Sequence, residues 1–118
     1  MVTAYDVVIP LAVAANAFSG IAALVHFKPI LPGMARAGVP ESWLTFPIGT
    51  LKTAGAAGLL LGLIGVPLIG TAAAIGLILF FTCAVYTHVR ASDYSQQFWL
   101  ANGFLLLAAA SLALNLGA

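Results

Sequence analysis

Apolar residues in this chain do not alternate with polar ones at a helical or strand period. They run together in four stretches, residues 7–27, 47–66, 67–88 and 97–116. Each is close to the roughly 20 residues a helix needs to cross a hydrocarbon core at about 1.5 Å per residue. A soluble helix shows one apolar stripe, whereas helices apolar on every side belong in lipid. The connections differ in kind. The first, 28–46, holds the breakers Pro29, Pro32, Gly33, Gly38 and Pro40, yet Ile30, Leu31, Met34, Val39 and Leu44 keep it apolar. That mixture predicts an interfacial segment with Trp43 at headgroup level and a short helix opening at Pro40 and interrupted by Pro47. The second, Gly65-Val66-Pro67, is a tight turn that makes the middle helices an antiparallel hairpin. The third, 91–97, is the one conventional polar loop. The pattern therefore predicts an all-α membrane protein: a single domain, 1–118, forming an antiparallel four-transmembrane-helix bundle with an interfacial segment between helices 1 and 2.

Composition agrees. Hydrophobic residues make up 63% of the 118 residues and charged residues 6%, against about 25% charged in a typical soluble domain. The net charge of +1 offers no basic surface for nucleic acid. The charges are more informative by position. Lys28, Arg36, Lys52 and Arg90 all lie in or beside the first and third connections, and the second connection and both tails carry none. The positive-inside rule then places those two connections in the cytoplasm and both termini outside. The expected location is the plasma membrane, a bacterial inner membrane, crossed several times. No basic n-region precedes Val7, so the first stretch reads as a retained helix rather than a cleaved signal.

Small residues suggest how the helices pack. In lipid, apolar burial does not drive helices together and close backbone approach must. Gly55, Gly58 and Gly62 make the second helix central, and Gly76 continues the pattern on the third. At a 3–4 spacing, the inward faces read Asn16, Ser19, Ala23, His26 on helix 1, and Lys52, Gly55, Leu59, Gly62 on helix 2. They read Gly76, Leu79, Cys83, Tyr86 on helix 3, and Ser95, Trp99, Asn102, Leu106 on helix 4. The lone Cys83 reads as a small apolar filler and excludes a dithiol couple within the chain.

Intramembrane polar groups mark function more often than their numbers suggest. Lys52, Tyr86, His88 and Asn102 fall at similar depth in the inner half and are the candidate ligand-binding residues; an apolar outer half would accommodate a tail. Against that stands plain snorkelling, in which the Lys52 stem carries its charge back to the headgroups. His26 and His88 invite a haem reading, but two histidines near interfaces arise by chance, and no haem is expected. The ligands for a metal site are too few. Asp6, Glu41 and Asp93 are separated, so no acid–base pair and no catalytic residue is assigned, and a transporter is the weakest reading.

Two stretches resemble the DoxX-like family of small four-helix membrane proteins. One is Pro47-Ile48-Gly49-Thr50-Leu51-Lys52-Thr53-Ala54-Gly55, opening helix 2. The other is Ala84-Val85-Tyr86-Thr87-His88-Val89-Arg90, closing helix 3. The Gly38-Val39-Pro40 loop fits as well, and the chain departs from many relatives in carrying Lys52 where they have Glu. The resemblance implies association with membrane redox systems. It favours a non-catalytic adaptor or accessory subunit of an oxidoreductase assembly, with a membrane or cytoplasmic redox protein as partner. The alternative is a subunit binding a lipid- or quinone-like molecule. Beyond the lipid bilayer, a second copy of the chain is a further candidate partner.

The charge bias makes a direct prediction. On a Cys83→Ala background, Ala118→Cys should react with an impermeant thiol reagent on intact cells, and Ser92→Cys only after permeabilisation. The reverse labelling would invert the orientation.

Overall fold

The computed structural model describes residues 3–117; Ala118, the outer labelling position, lies outside them. Four helices long and apolar enough to cross a membrane make up the body. The spans are Ala4–Leu24, Glu41–Leu63, Ile69–Arg90 and Gln96–Leu116. They hold α1 (Ala4–Leu24), α3 (Thr50–Leu63), which two short helical turns precede within its span, α4 (Ile69–Arg90) and α5 (Gln96–Gly117). The short α2 (Leu31–Ala37) lies between the first two spans. α1 packs on α3 and α5, and α4 packs on α3 and α5, which closes a four-helix ring. The α1–α3 connection and the α4–α5 turn meet at one end, here called the basic end. The α3–α4 turn and the beginning of α1 lie at the other, the far end.

Local signals set the helix limits. α1 opens with a capping box, in which Thr3 and Asp6 each accept the other's backbone N–H. It stops at Leu24, short of the expected residue 27. The N–H groups of His26 and Phe27 fold back onto the carbonyls of Ala23 and Ala22, with His26 in the left-handed region (φ 52°). α3 ends the same way, and its turn residue, at φ 108°, is Gly65. The interfacial segment is more ordered than its breakers suggest. Pro32 sits in the first turn of α2, where a missing N–H costs nothing. Gly38 ends α2 at φ 73°. Pro40 precedes a short 3-10 helix, Glu41–Leu44, and Phe46 then breaks the helix with an extended backbone before α3 begins.

The two halves of the bundle are built differently. At the far end Ile9, Ala12, Leu59, Ala74, Leu77 and Ala108 form a solid core. Glycines bring the backbones together. A Cβ on Gly58 would sit 2.7 Å from that of Ala73, and one on Gly62 would sit 2.9 Å from the Gly70 Cα. Gly55 is filled by the Leu77 side chain. On the α1–α3 seam, Gly20 lies so close that an added Cβ would reach within 2.8 Å of the Thr53 backbone nitrogen. At the basic end α1 and α3 stay in close contact, a cavity opens beside that seam, and the segment folds beneath it around Ala23, Met34 and Leu44.

Several expected inward positions face outward instead. Gly76 is exposed, and a Cβ there would meet nothing within 4 Å, so it plays no part in helix packing. Leu79, Cys83 and Tyr86 are exposed beside it. The inner face of α4 is Gly70, Ala74, Leu77 and Phe81, and that of α5 runs through Ala101, Ala108 and Ser111, with Trp99 and Leu106 outside. Cys83 is therefore not a buried filler.

These contacts separate two glycines of the same chemistry. Gly20→Ala forces backbone apart and should lower stability in detergent by about 1–3 kcal/mol, the usual overpacking cost. Gly76→Ala meets open space and should be neutral, or stabilising by up to about 1 kcal/mol. Thermal unfolding of both variants in one detergent checks the pair.

Candidate functional site

The space left at the basic end is a cavity of about 860 Å³. α1 contributes Ser19 and Ala23, α3 Leu51 and Lys52, α4 Phe80, Phe81, Cys83, Ala84, Thr87 and His88, and α5 Gln97, Leu100, Ala101 and Phe104. Ile30, Met34, Ala37 and Leu44 of the segment form its floor. The far-end core forms its roof. Phe18, Leu79 and Leu100 at the rim are exposed and lie within the spans. Phe27, Pro29 and Trp43 are exposed lining residues at the basic end, so the open side of the cavity runs from the spans to the interface.

Lys52 is the one Lys or Arg lining this cavity among the described residues. Its ammonium does not snorkel to the basic end. Nζ donates to Ser19 Oγ at 2.7 Å and lies 5.4–5.9 Å from the ring centroids of Phe80, Phe81 and Phe104. Phe81 lies nine residues before Arg90 at the end of α4, roughly 13 Å along the axis. The charge thus sits well inside the bundle. The close α1–α3 seam explains this, because the Lys52 Cβ would be 3.1 Å from a Cβ on Gly20. The stem begins wedged against α1 and extends into the space between the helices.

That position is costly. Removing an ammonium from water costs from several to about 20 kcal/mol, depending on how far the surroundings relax. Three aromatic rings near the outer limit of cation–π reach return on the order of 3 kcal/mol together. A neutral hydroxyl adds about 1.5–3 kcal/mol. A counter-charge would close the gap, and the described residues do not provide one. The chain has three acidic residues. Asp6 caps α1 at the far end. Glu41 pairs with His26 at 3.1 Å, and Asp93 pairs with His88 at 3.0 Å and with the Arg36 Nε at 3.8 Å.

Ser19 is also unusual. Thr82, Thr87 and Ser111 each donate their hydroxyl to the carbonyl four residues back, the ordinary way to satisfy a hydroxyl in a spanning helix. Ser19 accepts from Lys52 instead, and its own proton has no acceptor among the hydrogen bonds of the described residues.

The remaining candidates do not join Lys52. Tyr86 is 64% exposed on the outer surface of α4 and does not line the cavity. Asn102 donates to the Phe98 carbonyl of its own helix at 2.9 Å. His88 lines the cavity, but its Nδ1 is engaged by Asp93. His26 bonds Glu41 and Thr45 outside the cavity, so the two histidines do not converge on a common centre. The expected tail space in the outer half is filled by the far-end core. Ser19 was placed on the inward face of helix 1 but not among the binding candidates, although α1 and α3 meet on that face. The three phenylalanines carried no signal, since apolar residues surround α4 and α5 on every side.

The two histidine–carboxylate pairs hold the floor in place. His26 takes Glu41 and also Thr45, at 2.9 Å, tying the segment to the end of α1. Asp93 ties it to α4 through His88 and Arg36. Burial pushes the Asp93 carboxyl up, but hydrogen bonds from Ser95 and His88 outweigh it and hold its pKa below the usual carboxylate range. A depressed pKa gives stability that is present above the ordinary carboxylate pKa and lost as pH falls through the folded one. Asp93→Asn should therefore lower the melting temperature at pH 7. The gap to the parent should close as pH drops below about 4. Melting curves of both proteins between pH 7 and pH 3 check this, and a constant gap would show that the carboxylate charge is not the cause.

No curated protein and no solved structure matches the chain. The sequence pattern of the DoxX-like family matches residues 7–112. That match spans all but the chain ends and joins the four apolar helices into one assignment: the chain belongs to the DoxX-like family and is a multi-pass membrane protein.

Proposed function

We propose that this DoxX-like protein is a binding subunit for a lipophilic molecule with a polar head, a lipid or a quinone, taken from the bilayer. One observation carries the reading. A lysine whose charge lacks a counter-ion among the described residues points into an apolar cavity, and part of the cavity's rim lies within the membrane-spanning helices. An intramembrane ionisable group facing a cavity is a binding or transport feature by default. The volume falls within the roughly 300–1,000 Å³ of small-molecule sites, which are mostly apolar with a few fixed polar groups.

An accessory place in a membrane redox system is compatible with this role. With one cysteine, the chain has no dithiol couple of its own. It would serve such a system by holding a lipophilic molecule beside a redox partner. The role also accounts for the segment, whose Ile30, Met34, Ala37 and Leu44 form the floor of the cavity.

The test is ligand retention. Protein purified from its native membrane in mild detergent, then extracted with organic solvent, should yield a lipophilic molecule near one per chain by mass spectrometry. Lys52→Met keeps the stem and removes the charge, and should reduce that yield on the order of tenfold. Tyr86→Phe and Asn102→Leu, remote from the cavity head, should leave it unchanged. Equal yields from the parent and Lys52→Met would defeat the reading.

A further inference from the structure

The chemistry at the deep end of the cavity narrows the ligand class. We propose that the molecule held there is a long-chain monoanion, a fatty carboxylate, with its head on Lys52 and Ser19 and its chain along the apolar wall. This rests on the binding reading above and names its ligand.

Three observations converge. The groups facing the head position are donors. The ammonium has N–H groups beyond the one given to Ser19, and the Ser19 hydroxyl has an unspent proton. An ionised carboxylate is acceptor-only, with two oxygens and about four lone-pair sites, and takes both donors at once. The balance of charge comes next. Lys52 brings one positive charge, and among the described residues no other Lys or Arg lines the cavity. A carboxylate cancels it. A phosphomonoester carries about −1.5 to −2 charges and would leave excess negative charge buried. A neutral quinone carbonyl would satisfy a donor and leave the ammonium uncompensated. Size is the third. The cavity of about 860 Å³ lies within the range that holds one small molecule, which suits a single-chain carboxylate better than a two-chain lipid. The other polar lining groups do not compete for the head. Thr87 donates to the Cys83 carbonyl, and His88 is engaged by Asp93.

Fluorescence of cis-parinaric acid, a conjugated fatty acid, tests this on the full chain in nanodiscs of neutral phosphatidylcholine. Its methyl ester has the same chain without the charge. The acid should bind the parent on the order of tenfold or more tighter than the ester, the value of one charge-assisted hydrogen bond. Lys52→Met should erase that preference, and Lys52→Arg should keep part of it. Ser19→Ala should weaken the acid several-fold and leave the ester unchanged. Oleate should displace the probe; oleyl alcohol and decylubiquinone should not. Acid and ester binding alike, or displacement by decylubiquinone but not oleate, would overturn the fatty-anion assignment while leaving a lipophile-binding protein. Displacement by phosphatidylglycerol in preference to oleate would overturn the single-chain assignment. No saturable binding of acid, ester or decylubiquinone would overturn both this inference and the function it rests on. The acid-to-ester ratio is read on the parent alone, so it stands even if a Lys52 variant fails to fold.

Discussion

The approach of α1 to α3 at Gly20 governs the rest of the basic end. An added Cβ at Gly20 would collide with the Thr53 backbone. The two helices therefore meet almost backbone to backbone, with Lys52 beside the contact. A side chain rooted in such a seam cannot lie along the helix surface toward the headgroups. Its stem must leave between the helices, and the nearest polar atom it finds is the Ser19 oxygen. The same glycine that draws α1 and α3 together thus aims a charge at the interior. A close contact in lipid is usually discussed as a source of stability. Here it also sets the direction of the one cation in the cavity.

The halves of the bundle differ because their side chains differ in size where the helices face one another. Toward the far end, Gly58, Gly62, Gly70, Ala73 and Ala74 let α3 and α4 close fully, and Ile9, Leu59 and Leu77 fill what remains. Toward the basic end, Phe80, Phe81 and Phe104 stand between the helices. Phe81 belongs to the buried core, and the three rings border the cavity without filling it. The segment beneath cannot close the gap by hydrophobic burial alone, since lipid is as apolar as its side chains. Polar ties take over, with His26 holding Glu41 and Thr45 on one side and Asp93 holding His88 and Arg36 on the other. The carboxylates needed for that work are then committed at the membrane surface, which is why none is left for Lys52.

How much of this was legible depended on the physics that marks each face. The four spans and the hairpin at Gly65 follow from length, breakers and composition, which do not depend on helix phase. The inward faces of α1 and α3 were also readable, because Asn16, Ser19, Lys52 and Gly55 are polar or small and bilayers force such residues inward. α4 and α5 offered no such contrast. Apolar on all sides, they allow any phase: of the expected α4 face, Gly76, Leu79 and Cys83 border the cavity without packing against a helix, while Tyr86, and Asn102 on α5, do not line it. Gly76 shows the pitfall, since a glycine permits close approach but does not require a partner. Tyr86 shows another, since a phenol near an interface finds water and headgroups as readily as an interior. The Lys52 environment was half legible: its depth could be counted, but its aromatic surroundings depended on a phase the sequence does not carry.

A cavity in a membrane protein is weak testimony by itself. Lipid tails fill lateral gaps at little cost, and no hydrophobic force closes them, so a void between helices can persist without purpose. A charge is different, because hydrocarbon cannot solvate it. Lys52 would be selected against at this depth unless something offset its desolvation, and leucine or methionine would occupy the same space more cheaply. Three rings and one hydroxyl offset part of that cost, and the described residues hold no carboxylate to supply the remainder. A ligand taken from the bilayer, as proposed above, would supply it. The volume of the cavity limits how large such a molecule can be, and the sign of the charge limits its chemistry. The unpaired ammonium therefore says more about function than the empty space around it.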